Sequence, residues 1–273
     1  MRSKVECTDK FVFKFNTSRY SKGLEWITES LSINHRRELR VYNWYSNKTH
    51  RYLKLPKVYE MTSSHLKLEK LNEINNKVPK VNLLIPSIIE FSQLGNGEKR
   101  KLTDFLSSPT QSVIRGVMNH LKFLGLSVSI NALVNLFKLY IHGSKQNKNY
   151  LIHKDLKIDQ NMVNTAKGVY FIDFGSSIIT KNYFLTDIVE LSIDHKNFKV
   201  NFRLIEEYIA RLKLESTNIE YLRSQVYLLL LRRFLHLPKL YWVDRTKIAK
   251  VKKFLTNLNS LVLELELKPN KKI

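Results

Sequence analysis

The sequence predicts an α+β chain in two lobes. Residues 1–72 read mostly as short strands with one helix, and residues 73–273 mostly as helices. Three observations predict this. Short apolar runs bounded by turn residues crowd the first 72 positions. Segments of helical period dominate the second half. Between them, from Tyr150 to Gly175, lies a hairpin pattern with acidic residues at both outer ends.

That stretch reads YLIHKDLKIDQNMVNTAKGVYFIDFG. Asn164 to Gly168 is a turn-rich break between the apolar segments Asn161-Met162-Val163 and Val169-Tyr170-Phe171-Ile172. His153-Lys154-Asp155 precedes the hairpin and Asp173-Phe174-Gly175 follows it. A hairpin brings its outer ends together, so Asp155, Asn161 and Asp173 are expected to converge. Two carboxylates and an amide can hold a hard divalent cation such as Mg²⁺ and orient a hydroxyl.

This pattern resembles the catalytic core of the protein-kinase-like superfamily, H-R-D-L-x-x-x-N followed by D-F-G. The resemblance implies a role for each matching position. Asp155 matches the base that accepts the substrate hydroxyl proton, and His153 matches the structural histidine of the loop. Lys157 stands where many members carry a lysine that touches the transferred phosphate. Asp173 matches the aspartate that binds Mg²⁺ on the ATP phosphates. The family places its metal-binding amide five residues after the base, where this chain has Gln160, with Asn161 one position later. Asn161 is favoured because Met162-Val163 follows it as the strand does in the family, with a bulge between Leu156 and Gln160. Gln160 stays open as the ligand.

Composition bounds the partners. Hydrophobic residues make up 43% of the 273, enough for a substantial core and against disorder. Lys and Arg number 46 against 24 Asp and Glu, a formal charge of +22. That excess points to an anionic partner: a membrane surface, a phosphorylated substrate or nucleic acid. Cys7 is the only cysteine, which excludes an intramolecular disulfide or a cysteine metal cluster and suits a reducing compartment. No signal peptide is expected at the start, and the apolar run Val226–Leu231 is too short to span a bilayer.

In the first lobe, Val5–Cys7 and Phe11–Phe15 read as strands joined by Thr8-Asp9-Lys10. Lys14 lies between Phe13 and Phe15 and therefore points to the opposite face. It is either an ordinary strand lysine or, by the resemblance, the lysine that contacts the ATP phosphates. Arg36–Tyr45 has helical spacing at Leu39, Tyr42 and Tyr45. By the same resemblance Glu38 pairs with Lys14, and Glu29 is the alternative. Leu53–Glu60 and His65–Leu71 read as strands. Glu69 lies on the second, which resembles the hinge where backbone groups meet the adenine ring. None of the 13 residues before Lys14 is glycine, so the family's glycine-rich loop is expected to be missing from a reduced lobe.

In the second lobe, Val81–Phe91 is apolar and expected to be buried, and Ser107-Ser108-Pro109 looks like a helix entry. Helices are expected over about Gln111–Leu124 and Ile130–Tyr140, as core helices of the lobe. Asp187 opens an apolar run. In the family an aspartate there starts a helix and braces the catalytic loop. Helices are also expected over Arg203–Leu214, Glu220–Leu235 and Lys247–Leu267. Only 11 residues separate Gly175 from Asp187, and no A-P-E motif follows. A peptide shelf is therefore not expected. The short form resembles bacterial lipopolysaccharide-core and aminoglycoside-type kinases.

The resemblance implies an ATP- and Mg²⁺-dependent transfer of a phosphoryl group to a sugar hydroxyl in a lipopolysaccharide core or other lipid-linked glycan. The enzyme would sit in the cytoplasm, peripherally on the inner face of the membrane, its basic surface on an anionic glycolipid. A small soluble acceptor, of aminoglycoside or choline type, is the alternative. So is a catalytically impaired binding module, for which nucleic acid is a less favoured partner.

Overall fold

A computed structural model of the chain describes residues 4–15, 25–72, 81–95, 114, 117, 121, 124–143, 148–157, 161–180, 182–194, 199–212, 218–235 and 245–267. The chain forms two compact units, residues 1–96 with 150–178, and residues 97–149 with 179–273.

The first unit carries a four-stranded antiparallel sheet. Its strands are β1 (Lys4–Cys7), β2 (Phe11–Phe15), β3 (Val58–Met61) and β4 (His65–Glu69), in the order β1-β2-β4-β3. Aromatic and β-branched residues fill β2, which suits a pleated, half-buried strand. The turn before it is closed by Thr8, whose N–H donates to the Phe11 carbonyl at 2.8 Å and whose hydroxyl accepts from the Phe11 N–H at 3.0 Å. In β4 the burial alternates: Leu66 and Leu68 face the core, while His65, Lys67 and Glu69 are half-buried. Register places Lys14 opposite Leu66.

The expected strand over Leu53–Glu60 is corrected. Only Val58 to Met61 joins the sheet, with a bulge between Val58 and Glu60. Pro56 is the reason, since it has no N–H for a ladder and restricts the residue before it. Upstream, Glu90 accepts from the N–H groups of Arg51, Tyr52 and Leu53 at 3.2, 3.0 and 2.7 Å. Lys54 bridges to Tyr170 instead.

Helix α1 (Glu25–Ser46) is longer than the segment its aromatics marked, and includes it. His35, Glu38 and Tyr42 recur at spacings of three and four and are buried along one face. Helix α2 (Val81–Gln93) buries Leu84, Ile85, Ile88 and Phe91. Strand β5 (Tyr150–Ile152) leads into the loop ahead of the hairpin, β6 (Met162–Thr165) and β7 (Gly168–Phe171). Gly168 has φ 128, a conformation that L side chains rarely adopt, so glycine is the residue that can close this turn. The segment β8 (Ile178–Thr180) follows.

In the second unit, α3 (Leu126–Gly143), α4 (Thr186–Ser192), α5 (Phe202–Arg211), α6 (Ile219–Leu235) and α7 (Arg245–Leu263) are joined by the short pair β9 (Ile193–Asp194) and β10 (Lys199–Val200). Helix α6 is buried almost all round, from Tyr221 and Leu222 to Phe234 and Leu235. Helices α3, α4 and α7 pack against it. Expectation placed α3 among the core helices. Only its Val128, Ala132 and Leu139 side is buried, and the opposite side is apolar yet open to solvent. The helix entry at Ser107-Ser108-Pro109 and most of Gln111–Leu124 lie outside the described residues.

Candidate active site

The site is built within the first unit by β2, α1 and the hairpin. Lys14 projects from β2 and meets Glu38 of α1, Nζ to Oε1, at 2.7 Å. Its Nζ also lies 3.7 Å from Oδ1 of Asp173. Burial opposes the charged ammonium, but the carboxylates of Glu38 and Asp173 hold its pKa above the ordinary lysine value. Glu29 belongs to the same helix, and its side chain lies outside the described residues.

Asp173 stands just after the hairpin in the left-handed region, φ 64 and ψ 63. That is uncommon for a residue with a Cβ and marks a constrained position. It turns the carboxylate outward, 56% exposed, while the next residue, Phe174, is fully buried. The Phe174 ring packs edge-on to Tyr42 at 5.5 Å and to His153 at 5.3 Å, and stacks on Phe91 at 5.6 Å. A Cβ on Gly175 would lie 3.3 Å from the Cβ of Asn34, so α1 passes tightly over this turn.

The loop before the hairpin holds the remaining groups. His153 is wholly buried, and its Nε2–H donates to the Ile172 carbonyl at 2.8 Å, one residue ahead of Asp173. The Ile172 N–H donates to the Asn161 carbonyl at 3.0 Å. Asn161 is buried, and its Nδ2 donates to the backbone carbonyl of Asp155. The Asp155 carboxylate, 44% exposed, receives Lys157 Nζ at 2.7 Å. Two small clusters result, Lys14–Glu38–Asp173 and Asp155–Lys157–Asn161. They are tied together through His153 and the backbone of Ile172.

Three further residues were expected at the site. Glu69 ends β4; its N–H donates to the Lys57 carbonyl at 2.8 Å and its Oε2 accepts from the Lys57 N–H at 3.3 Å. Asp187 is buried in the first turn of α4, in the second unit. Gln160 lies outside the described residues.

Sequence reasoning gave Tyr42, Phe91 and Glu90 no part in the site. Tyr42 falls four residues after Glu38, on the same helix face, and that spacing was the available signal. Nothing in the sequence linked Phe91 or Glu90 to positions so far away.

The donor chemistry fits Mg²⁺. Asp173 presents an exposed carboxylate. Asn161 commits its amide nitrogen to the loop, which leaves the hard amide oxygen for a cation. Among the described residues no three His, Cys, Asp or Glu side chains form a metal cage of their own.

No family model and no curated protein matches the sequence. Solved structures do match. An aminoglycoside phosphotransferase seen with GDP and kanamycin aligns over 96% of this chain and 91% of its own, at 13% identity and TM-score 0.56. An aminoglycoside phosphotransferase from Alicyclobacillus acidocaldarius aligns over 97% and 93%, at 10% identity and TM-score 0.53. The choline kinase LicA from Streptococcus pneumoniae aligns over 95% and 90%, at 12% identity and TM-score 0.53. The chain shares the α+β fold of these small-molecule kinases. In this kinase-like frame β1 and β2 are joined by Thr8-Asp9-Lys10, a tight turn without glycine.

Proposed function

We propose that this chain is a phosphotransferase that moves the γ-phosphoryl group of ATP to a hydroxyl of a sugar carried on a lipid-linked glycan such as a lipopolysaccharide core. The observation that carries the reading is the contact set of Lys14, which joins a β2 lysine to the α1 glutamate and to the post-hairpin Asp173. A buried lysine kept charged by two carboxylates is suited to polyphosphate, because its ammonium stays cationic at neutral pH.

In the reaction, Asp155 accepts the proton of the acceptor hydroxyl. The hydroxyl oxygen forms a bond to the γ-phosphorus as the bond from that phosphorus to the β,γ-bridging oxygen breaks, and ADP departs with the electron pair. Asp173 and Asn161 would hold Mg²⁺, which when bound neutralises charge on the phosphates. Lys157, paired with Asp155, is the residue that would meet the transferred phosphoryl group. His153 fixes the loop to the strand that presents Asp173. Catalysis of this kind is positioning and charge stabilisation.

The lipid-linked acceptor is supported by the charge of +22, which favours an anionic surface. A second reading, a small soluble acceptor, is supported by the kinds of enzyme whose solved structures share the fold. The glycine-free turn ahead of Lys14 favours weak nucleotide binding.

The test is thermal shift with ATP and Mg²⁺, wild type against Asp173→Ala. Ligand at about 100 times its dissociation constant should stabilise the wild type by about 2.7 kcal/mol, and the variant should show no shift. An unresponsive, well-folded wild type would sink the phosphotransferase reading and leave a basic binding module. Salt-dependent activity on a membrane glycolipid separates the first acceptor class from the second.

A further inference from the structure

Helix α3 contains no Asp or Glu, and its sequence, LSVSINALVNLFKLYIHG, is apolar on both sides. One side packs inside its unit through Val128, Ala132 and Leu139. The other is open: Leu126 is 72% exposed, Leu133 61%, Phe137 65% and Tyr140 77%, with Ile130 and Val134 also exposed. At about 100° per residue these six side chains fall within an arc of about 120°. They make one continuous apolar stripe along the helix. A monomeric soluble surface rarely carries such a patch without a partner.

Charge decides between the occupants. A second copy of this chain would bring another +22 against the first, and net charge of this size opposes self-association. An anionic surface is drawn in by the same charge. Helix α7, which packs beside α3, also lacks Asp and Glu and exposes Lys250, Lys252 and Lys253. An apolar stripe carrying Phe and Tyr, on a helix packed against one with exposed lysines and with no acid on either, has the composition of a surface that lies in the interface of a bilayer. No helix among the described residues is long and apolar enough to cross a membrane, so attachment would be to one leaflet.

We infer that the exposed face of α3 docks the protein on an anionic membrane leaflet, sinking Leu126, Leu133, Phe137 and Tyr140 below the headgroups while the α7 lysines contact lipid phosphates. This deepens the lipid-linked acceptor proposed above and rests on that reading only for its purpose. Attachment is measured without nucleotide, so its failure and the failure of phosphotransfer are separate results.

The experiment is flotation of the full chain with phosphatidylcholine vesicles, with and without phosphatidylglycerol. Wild type should float with the anionic vesicles, and high salt should weaken the association. The double substitution Phe137→Ser with Tyr140→Ser should lower partitioning about ten-fold or more, with an unchanged melting temperature because both side chains are exposed. Changing Lys250, Lys252 and Lys253 together to Gln should remove most of the preference for anionic over neutral vesicles. Absence of flotation in the wild type overturns the inference, as does flotation that neither set of substitutions alters. A dimer in analytical ultracentrifugation that the Phe137 and Tyr140 substitutions dissolve overturns it in favour of a second copy.

Discussion

Lys14 and Glu38 meet at 2.7 Å across 24 positions of sequence, both side chains almost out of water, at 13% and 7% exposure. A pair this buried is strongly asymmetric under mutation. Lys14→Met leaves the Glu38 carboxylate without its ammonium and should cost about 3–5 kcal/mol in denaturant melts. Adding Glu38→Leu removes the stranded charge and should recover most of that loss, while nucleotide binding stays absent in both variants. A single variant as stable as wild type would show that the pair does not form in solution.

Asp155 and Asp173 should separate acceptor chemistry from nucleotide binding. Asp155 contacts Lys157 and the Asn161 amide, whereas Asp173 faces Lys14. Asp155→Asn keeps the shape of the loop but removes the base, so transfer should fall about 10²- to 10⁴-fold. The ATP–Mg²⁺ thermal shift should persist in that variant and vanish in Asp173→Ala. Loss of the shift in Asp155→Asn would place Asp155 in nucleotide binding instead.

The strands β1, β2 and β4 and the hairpin were legible because each has period-two alternation or a glycine turn within a few residues. The pairing of Lys14 with Glu38 was implied only by the family resemblance, since strand and helix periods alone leave two glutamates open. Pro56 was visible, yet its consequence depended on the partners waiting for Leu53 and Lys54, namely Glu90 and Phe171, at distant positions. Helix α3 misled for a related reason. An apolar helix reads as core, and the sequence does not record how much of its circumference has neighbours. The aromatic packing of Phe91, His153 and Phe174 is likewise a three-dimensional fact carried by three separate segments.

Tyr42 holds a removable cost. Its ring packs on Phe174, but its hydroxyl is buried and has no hydrogen-bond partner among the described residues. Burial pushes the phenol well above its ordinary pKa, and the carboxylates of Glu38 and Asp173 push it the same way. The hydroxyl therefore stays neutral and desolvated at neutral pH. Tyr42→Phe keeps the ring and removes the group, so stability should rise by about 1 kcal/mol. A loss of stability would reveal a hydrogen bond to an ordered water.

In the second unit, Glu220 meets Lys138 at 2.6 Å and Arg223 at 3.4 Å. The hydrogen bond from Lys138 is the main cause of a lowered Glu220 pKa, and the charges of Lys138 and Arg223 add to it. A carboxylate with a lowered folded pKa contributes stability that is present above its unfolded value, about 4.3, and is lost as pH falls through the folded one. Both partners are more than a third exposed, so water screens the pair and its contribution is about 0.2–1 kcal/mol. Glu220→Gln should melt slightly below wild type at pH 7. The gap should close as pH drops below the ordinary glutamate range, and added salt should narrow it at pH 7. A gap that stays constant from neutral to acid pH would mean that shape, not charge, is what Glu220 contributes between α3 and α6.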